Sequence, residues 1–222
     1  MSTTFDILPT THKIPSITDV ISLSNEKLDH YCQRYSILSR LRIDAEILSF
    51  TDQTFSEKCK DRIMKWDENQ YAYFFLTNYT GGTVAYFGIT NQLIRDIWAD
   101  EIEAKGANHT KQVLIEEGLN IGHYWTFKRY SSQTLVHDLV YGIIAGSLTQ
   151  ITDGIIDTDD GAWSSSIFPA TAKEFFSSYF ILEAPVEPEY LEWSKSVIDS
   201  LRDLSQGVTK CLKSSDKEQS GG

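Results

Sequence analysis

The sequence predicts an α+β protein: a mixed or antiparallel sheet with a prominent hairpin, packed by several helices that include one buried in the centre. Three observations carry this. Residues 71–76 and 83–89 are rich in aromatic and apolar residues and flank Asn78-Tyr79-Thr80-Gly81-Gly82, a turn sequence, so they read as a hairpin. Residues 135–148 spread Leu135, Val136, Leu139, Val140, Ile143, Ile144 and Leu148 over more than half of a helical circumference, too wide a stripe for a surface helix. Several other segments repeat apolar residues at helical spacing behind capping residues.

Taken in order, residues 1–22 are polar and punctuated by Pro9 and Pro15, and read as a flexible arm. Ser24 opens a helix whose apolar positions are Leu28, Tyr31, Cys32, Tyr35 and Leu38. Thr54-x-x-Glu57 has the form of a capping box and predicts a second helix carrying Cys59, Ile63 and Trp66. Neither hairpin strand alternates cleanly, which predicts that both faces of the hairpin are covered. Thr90 or Asn91 caps a helix with Ile94, Ile97, Trp98 and Ile102, and Gly106 stands where a C-terminal glycine belongs. Residues 111–116 fit strand or helix equally, and residues 123–129 read as a strand.

Ser131 or Ser132 starts the long apolar helix. Its Gly142 and Gly146, four apart, predict a flat stripe for close packing, because each glycine costs about 1 kcal/mol against alanine and needs a compensating reason. Ile155-Ile156 reads as a short strand running into Asp157-Thr158-Asp159-Asp160-Gly161-Ala162-Trp163. Thr171-x-x-Glu174 is a capping box for a helix with Phe175, Phe176, Tyr179 and Phe180. Pro188 begins a last helix with Trp193, Val197, Leu201 and Leu204, which Gly207 ends. This divides the chain into an arm (1–22), one α+β domain (23–206) and a flexible polar tail (207–222).

The 222 residues suffice for a core without disulfide staples. Cys32, Cys59 and Cys211 are odd in number, widely spaced and without metal-ligand spacing, so reduced thiols in a cytoplasm are expected. The first residues lack the basic start and apolar run of a secretory signal. Of the net charge of −11, residues 138–203 carry −9, twelve acids against Lys173, Lys195 and Arg202. Such a field repels nucleic acid and anionic membranes and attracts basic partners.

The acidic turn fails as a calcium loop: counted from Asp157, glycine falls at position five instead of six and Phe168 instead of glutamate at twelve. Clustered carboxylates in one turn do not make a glycosidase pair. No nucleophile elbow, Walker loop, dinucleotide fingerprint or zinc-protease motif occurs, and the five histidines are scattered, so no cofactor, metal or catalytic residue is assigned. His137, on the apolar helix, reads as a satisfied core residue. Trp163 directly follows the acidic turn, and aromatic anchors ringed by charge are what protein interfaces use.

The run T-Q-I-T-D-G-I-I-D-T-D-D-G-A-W from Thr149, followed by F-P-A-T-A-K-E-F-F-S-S-Y-F from Phe168, resembles bacterial immunity proteins of polymorphic-toxin and type VI secretion systems. The likeness covers roughly residues 124–180. It implies a cytoplasmic, non-enzymatic antidote that binds one cognate toxin and neither nucleic acid nor membrane. An acidic antidote suits a basic toxin such as a nuclease, and charge complementarity speeds their encounter. The residues expected to face the toxin are Asp153, Asp157, Asp159, Asp160 and Trp163, with the aromatic hairpin at residues 71–87 as the alternative interface. The rival readings are an enzyme with an unrecognised site, which a deep pocket of convergent titratable groups would favour, and a structural or adaptor protein of a secretion system.

Overall fold

A computed structural model describes residues 3–38, 40–51, 56–58, 61–130, 134–159, 167–183 and 188–218. The chain is α+β, with one eight-stranded sheet in which every neighbouring pair is antiparallel. Its strands are β1 (Thr3–Leu8), β2 (Ile43–Ser49), β3 (Ser56–Lys58), β4 (Gln70–Leu76), β5 (Gly82–Ile89), β6 (His123–Arg129), β7 (Ile155–Thr158) and β8 (Ala170–Thr171), in the order β3-β2-β4-β5-β6-β1-β7-β8. The helices are α1 (Ile17–Arg34), α2 (Gln92–Lys105), α3 (His109–Ile121), α4 (Leu135–Ile151), α5 (Ala172–Ser178) and α6 (Leu191–Glu218), with a 3-10 turn at Pro188–Tyr190 before α6.

The predicted hairpin is β4–β5, and the predicted buried helix is α4. α4 packs on α1, α5, α6 and one face of the sheet, and Ile143, Ile144 and Leu148 are fully buried there with Phe5, Phe74, Trp125 and Phe127. The glycine stripe does what its spacing predicts. A Cβ on Gly142 would lie 2.1 Å from the Tyr179 ring, and one on Gly146 would lie 2.7 Å from Phe175. The Tyr179 hydroxyl donates to the Asp138 carbonyl, and the Tyr31 hydroxyl donates to the Tyr179 carbonyl, so α1 and α5 are locked to α4 by buried donors. Asp138 itself, counted above as part of the acidic field, is a buried partner of Arg129 at 2.7 Å. His137 is buried as expected. Its Nδ1 lies 2.9 Å from the Thr134 hydroxyl, and burial lowers its pKa, so it is a neutral core group.

Several expectations are corrected. The N-terminal arm is the strand β1, inserted between β6 and β7, with Phe5, Ile7 and Leu8 fully buried. Its apolar residues bury because neighbours on both sides supply ladder bonds; the polar Thr3, Thr4 and Asp6 between them hide the pattern. α1 starts at Ile17, behind a capping box between Ser16 and Asp19, and Ser24 is a buried residue inside it. Glu57 lies in β3 rather than in a helix, because β2 offers it a pairing edge that outweighs the local cap; Thr54 and Cys59 fall outside the described residues. α6 runs through Gly207 to Glu218, a helix absorbing one glycine at modest cost. Residues 131 and 132 fall outside the described residues, and α4 has Thr134 as its N-cap. The ambiguous residues 111–116 belong to α3.

On the second face of the sheet, α2 and α3 pack over β6, β1 and β7. They bury a smaller cluster of Leu8, Trp98, Ile115, Leu119 and Ile155. α2 is capped by Asn91 and ended by Gly106 in the left-handed conformation, as its sequence predicts. Among the described residues no helix is long and apolar enough to cross a membrane.

Candidate protein-binding face

α2 and α3 cover only half of that second face. The other half, on β2, β4 and β5, carries Leu48, Tyr71, Tyr73, Phe75 and Tyr86, and the described helices lie elsewhere. The side chains on this half are nonetheless half-buried, and Val84, opposite Tyr73, is buried among them. β4 alternates after all: Ala72, Phe74 and Leu76 are buried in the core, while Tyr71, Tyr73 and Phe75 are half-buried. The outward rings shield one another instead of being shielded by a helix. Phe50, following β2, has its ring 4.7 Å from Tyr71 and 6.1 Å from Tyr86, centre to centre, yet remains 54% exposed. Tyr73 stacks on Phe75 at 5.8 Å. Tyr130 is 43% exposed, and the Lys128 ammonium lies 5.5 Å from its ring. The Tyr86 hydroxyl is held well above the ordinary phenol range, first by burial and then by its hydrogen bond to Tyr130.

Across the sheet the chemistry changes along one row. Leu48 lies opposite Tyr71, whose ring is 6.3 Å from Tyr86; Tyr86 lies opposite Thr126, Thr126 opposite Asp6, and Asp6 opposite Asp157. The row is apolar and aromatic at β2 and acidic at β7. Asp6 accepts from the Thr126 hydroxyl at 2.5 Å. Burial pushes its pKa up to about 6, the Thr126 bond opposing and the carboxylates of Asp157 and Asp159 adding to the rise. Asp157 is buried, and both its oxygens accept from the Lys105 ammonium at 2.8 Å. Burial works against the charge on Lys105, but Asp157 and Glu101 outweigh it and raise its pKa.

The expected site residues are therefore not one surface loop. Asp157 is an internal counter-ion that ties α2 to the sheet: the strand's alternation turns its carboxyl toward Lys105, away from solvent. Asp153 and Asp159 are exposed, but they stand at opposite ends of β7, with about 13 Å of strand between them. Asp153 sits in the turn after α4 at φ 48°, and its carbonyl accepts from the Thr10 hydroxyl at 2.8 Å. Asp159 accepts from the Thr4 backbone N–H at 2.6 Å, beside Asp6. Asp160 and Trp163 lie outside the described residues. Part of the acidic excess of residues 138–203 is answered by cations from outside that stretch: Asp138 pairs with Arg129, Asp157 with Lys105, Glu174 with Lys111 and Glu183 with Arg34.

Asp6, Phe50 and Thr126 were not singled out in the sequence. The usable signal was the alternation of Phe5 and Ile7 around Asp6, which marks a strand with a polar outward residue. A cleft between α1, α4 and α5 is lined by Lys27, Gln150, Ala172, Lys173, Phe176 and Ser177, with no carboxylate among them. Among the described residues no group of three or more His, Cys, Asp or Glu is placed to hold a metal ion. Set against known protein families, curated proteins and solved structures, the chain matches none of them.

Proposed function

We propose that the chain is a cytoplasmic immunity-type protein that neutralises a cognate secreted toxin, and that the open aromatic face of the sheet is the surface that holds it. The observation that carries this is the half-buried outward row of Leu48, Tyr71, Tyr73, Phe75 and Tyr86, over which no described helix lies, with the exposed Phe50 beside it and the acids Asp6 and Asp159 at its border. Tyrosine and other large aromatics are the side chains that anchor protein interfaces, and a rigid sheet presents them without an ordering cost. The net charge of −11 disfavours nucleic acid as the occupant and suits a basic toxin such as a nuclease. The resemblance of residues 149–180 to immunity proteins supports the same reading.

The test is genetic. The product of the reading frame next to this gene is expressed in a bacterial host with and without the chain. Growth arrest that the chain relieves, and that an unrelated acidic protein does not, is expected. A neighbouring product that is harmless, or toxicity that the chain leaves unchanged, overturns the proposal.

A further inference from the structure

We propose that the occupant of this sheet face is a basic protein segment that lays an arginine or lysine along Tyr86 and ends it on Asp6 and Asp159. The inference rests on the reading of the aromatic face as an interface, and deepens it by naming the side chain recognised. Arginine and lysine carry an apolar stem and a charged head. The row from Tyr71 and Tyr86 through Thr126 to Asp6 has the same order, aromatic surface first and carboxylate last.

The charges around Asp6 are unequally satisfied. Its own strand offers the Thr4 hydroxyl at 3.5 Å, and β6 offers Thr126, Tyr124 and Lys128 on the same face. β7 adds the carboxyls of Asp157 and Asp159, and α2 adds Lys105 and Glu101. Of the two cations, Lys105 is held by Asp157, Glu101 and the Thr158 carbonyl, and Lys128 sits over Tyr130. Among the described residues, Asp6 and Asp159 are met by hydroxyls and one backbone N–H and by no cation. Two acids, a partly buried floor and no cation of their own make a place where an incoming positive charge is worth more than at an ordinary surface. Burial, and after it the carboxylates of Asp157 and Asp159, raise the pKa of Asp6. A guanidinium seated there would lower it, and binding would release a proton near pH 6.

The experiment uses the full chain and a defined probe, the peptide acetyl-Gly-Leu-Arg-Leu-Gly-amide, with citrulline in place of arginine as an uncharged control of the same shape. Side-chain carboxyl and aromatic NMR signals are followed during titration. The arginine peptide is expected to shift the signals of Tyr86, Thr126 and Asp6 and to lower the Asp6 midpoint by about one pH unit. The citrulline peptide should leave that midpoint unchanged. Asp6→Asn with Asp159→Asn should abolish the Thr126 shift without lowering the melting temperature. Equal shifts at Tyr86 from both peptides, with Asp6 unmoved, overturn the cation site and leave the aromatic interface standing. No shift anywhere on the face overturns the cation site and counts against the interface as well.

Discussion

Asp6 shows how one side chain can work against the fold that holds it. Its carboxyl is pushed from 3.8 to about 6, chiefly by burial. The folded chain therefore binds this proton more tightly than the unfolded chain does, and the sign of the linkage follows. Stability contributed by protonated Asp6 is present below about pH 4 and is lost as pH rises to about 6. Asp6→Asn keeps an acceptor for Thr126 and removes the charge. At pH 7 the variant should be more stable than the parent by up to about 2 kcal/mol, with the difference vanishing near pH 4. Denaturant melts of both proteins at pH 4, 5, 6 and 7 check this; equal stability at pH 7 would mean that water already solvates the charge. Burial also raises the pKa of Asp157, but Lys105 is there to oppose it. The Asp157 charge is bound to Lys105, so reversing it would test the fold rather than an encounter with a partner. A residue's type and spacing announced acids here, but only the packing of α2, which sets Lys105 on Asp157, shows which acid is spent internally.

Elements were legible where their signal was local. The hairpin β4–β5, the Asn91 and Gly106 ends of α2, the Thr171–Glu174 box of α5 and the broad stripe of α4 all rest on residues near one another in sequence. β1 and β3 were not legible because long-range partners make them. β1 gains its ladder bonds from β6 and β7, more than a hundred residues away, and Thr54-x-x-Glu57 has the form of a helix cap but leads into a strand because β2 is there to receive it. The claim that β1 is a core strand has a direct check. Phe5 is fully buried, stacked at 4.7 Å on Tyr141 and edge-on to Phe175. Phe5→Ala should cost about 3–5 kcal/mol. In a flexible arm the same change would cost nothing, so a denaturation midpoint equal to the parent's would remove β1 from the core.

At the scale of the whole molecule, one sheet separates two environments. Behind it, α1, α4, α5 and α6 close the main core. In front, α2 and α3 close half the face, and no described helix lies over the half-buried aromatic half, with acids beside it. Net charge and an acidic run in the sequence pointed to an interface, but placed it on a loop, whereas internal pairs with Arg129, Lys105, Lys111 and Arg34 absorb part of that run. The aromatic row is the surface proposed for contact; Asp160 and Trp163 of the acidic turn lie outside the described residues. The central claim is that this row is the anchor for a protein partner. The most direct measurement is the binding kinetics of the neighbouring gene's product to the parent and to the Phe50→Ala, Tyr86→Ala double variant, after their melting temperatures have been matched. Loss of two desolvated anchors at about 2 kcal/mol each predicts at least a hundredfold weaker affinity, mostly through faster dissociation. A double variant that melts like the parent and binds with the parent's affinity and dissociation rate would contradict it.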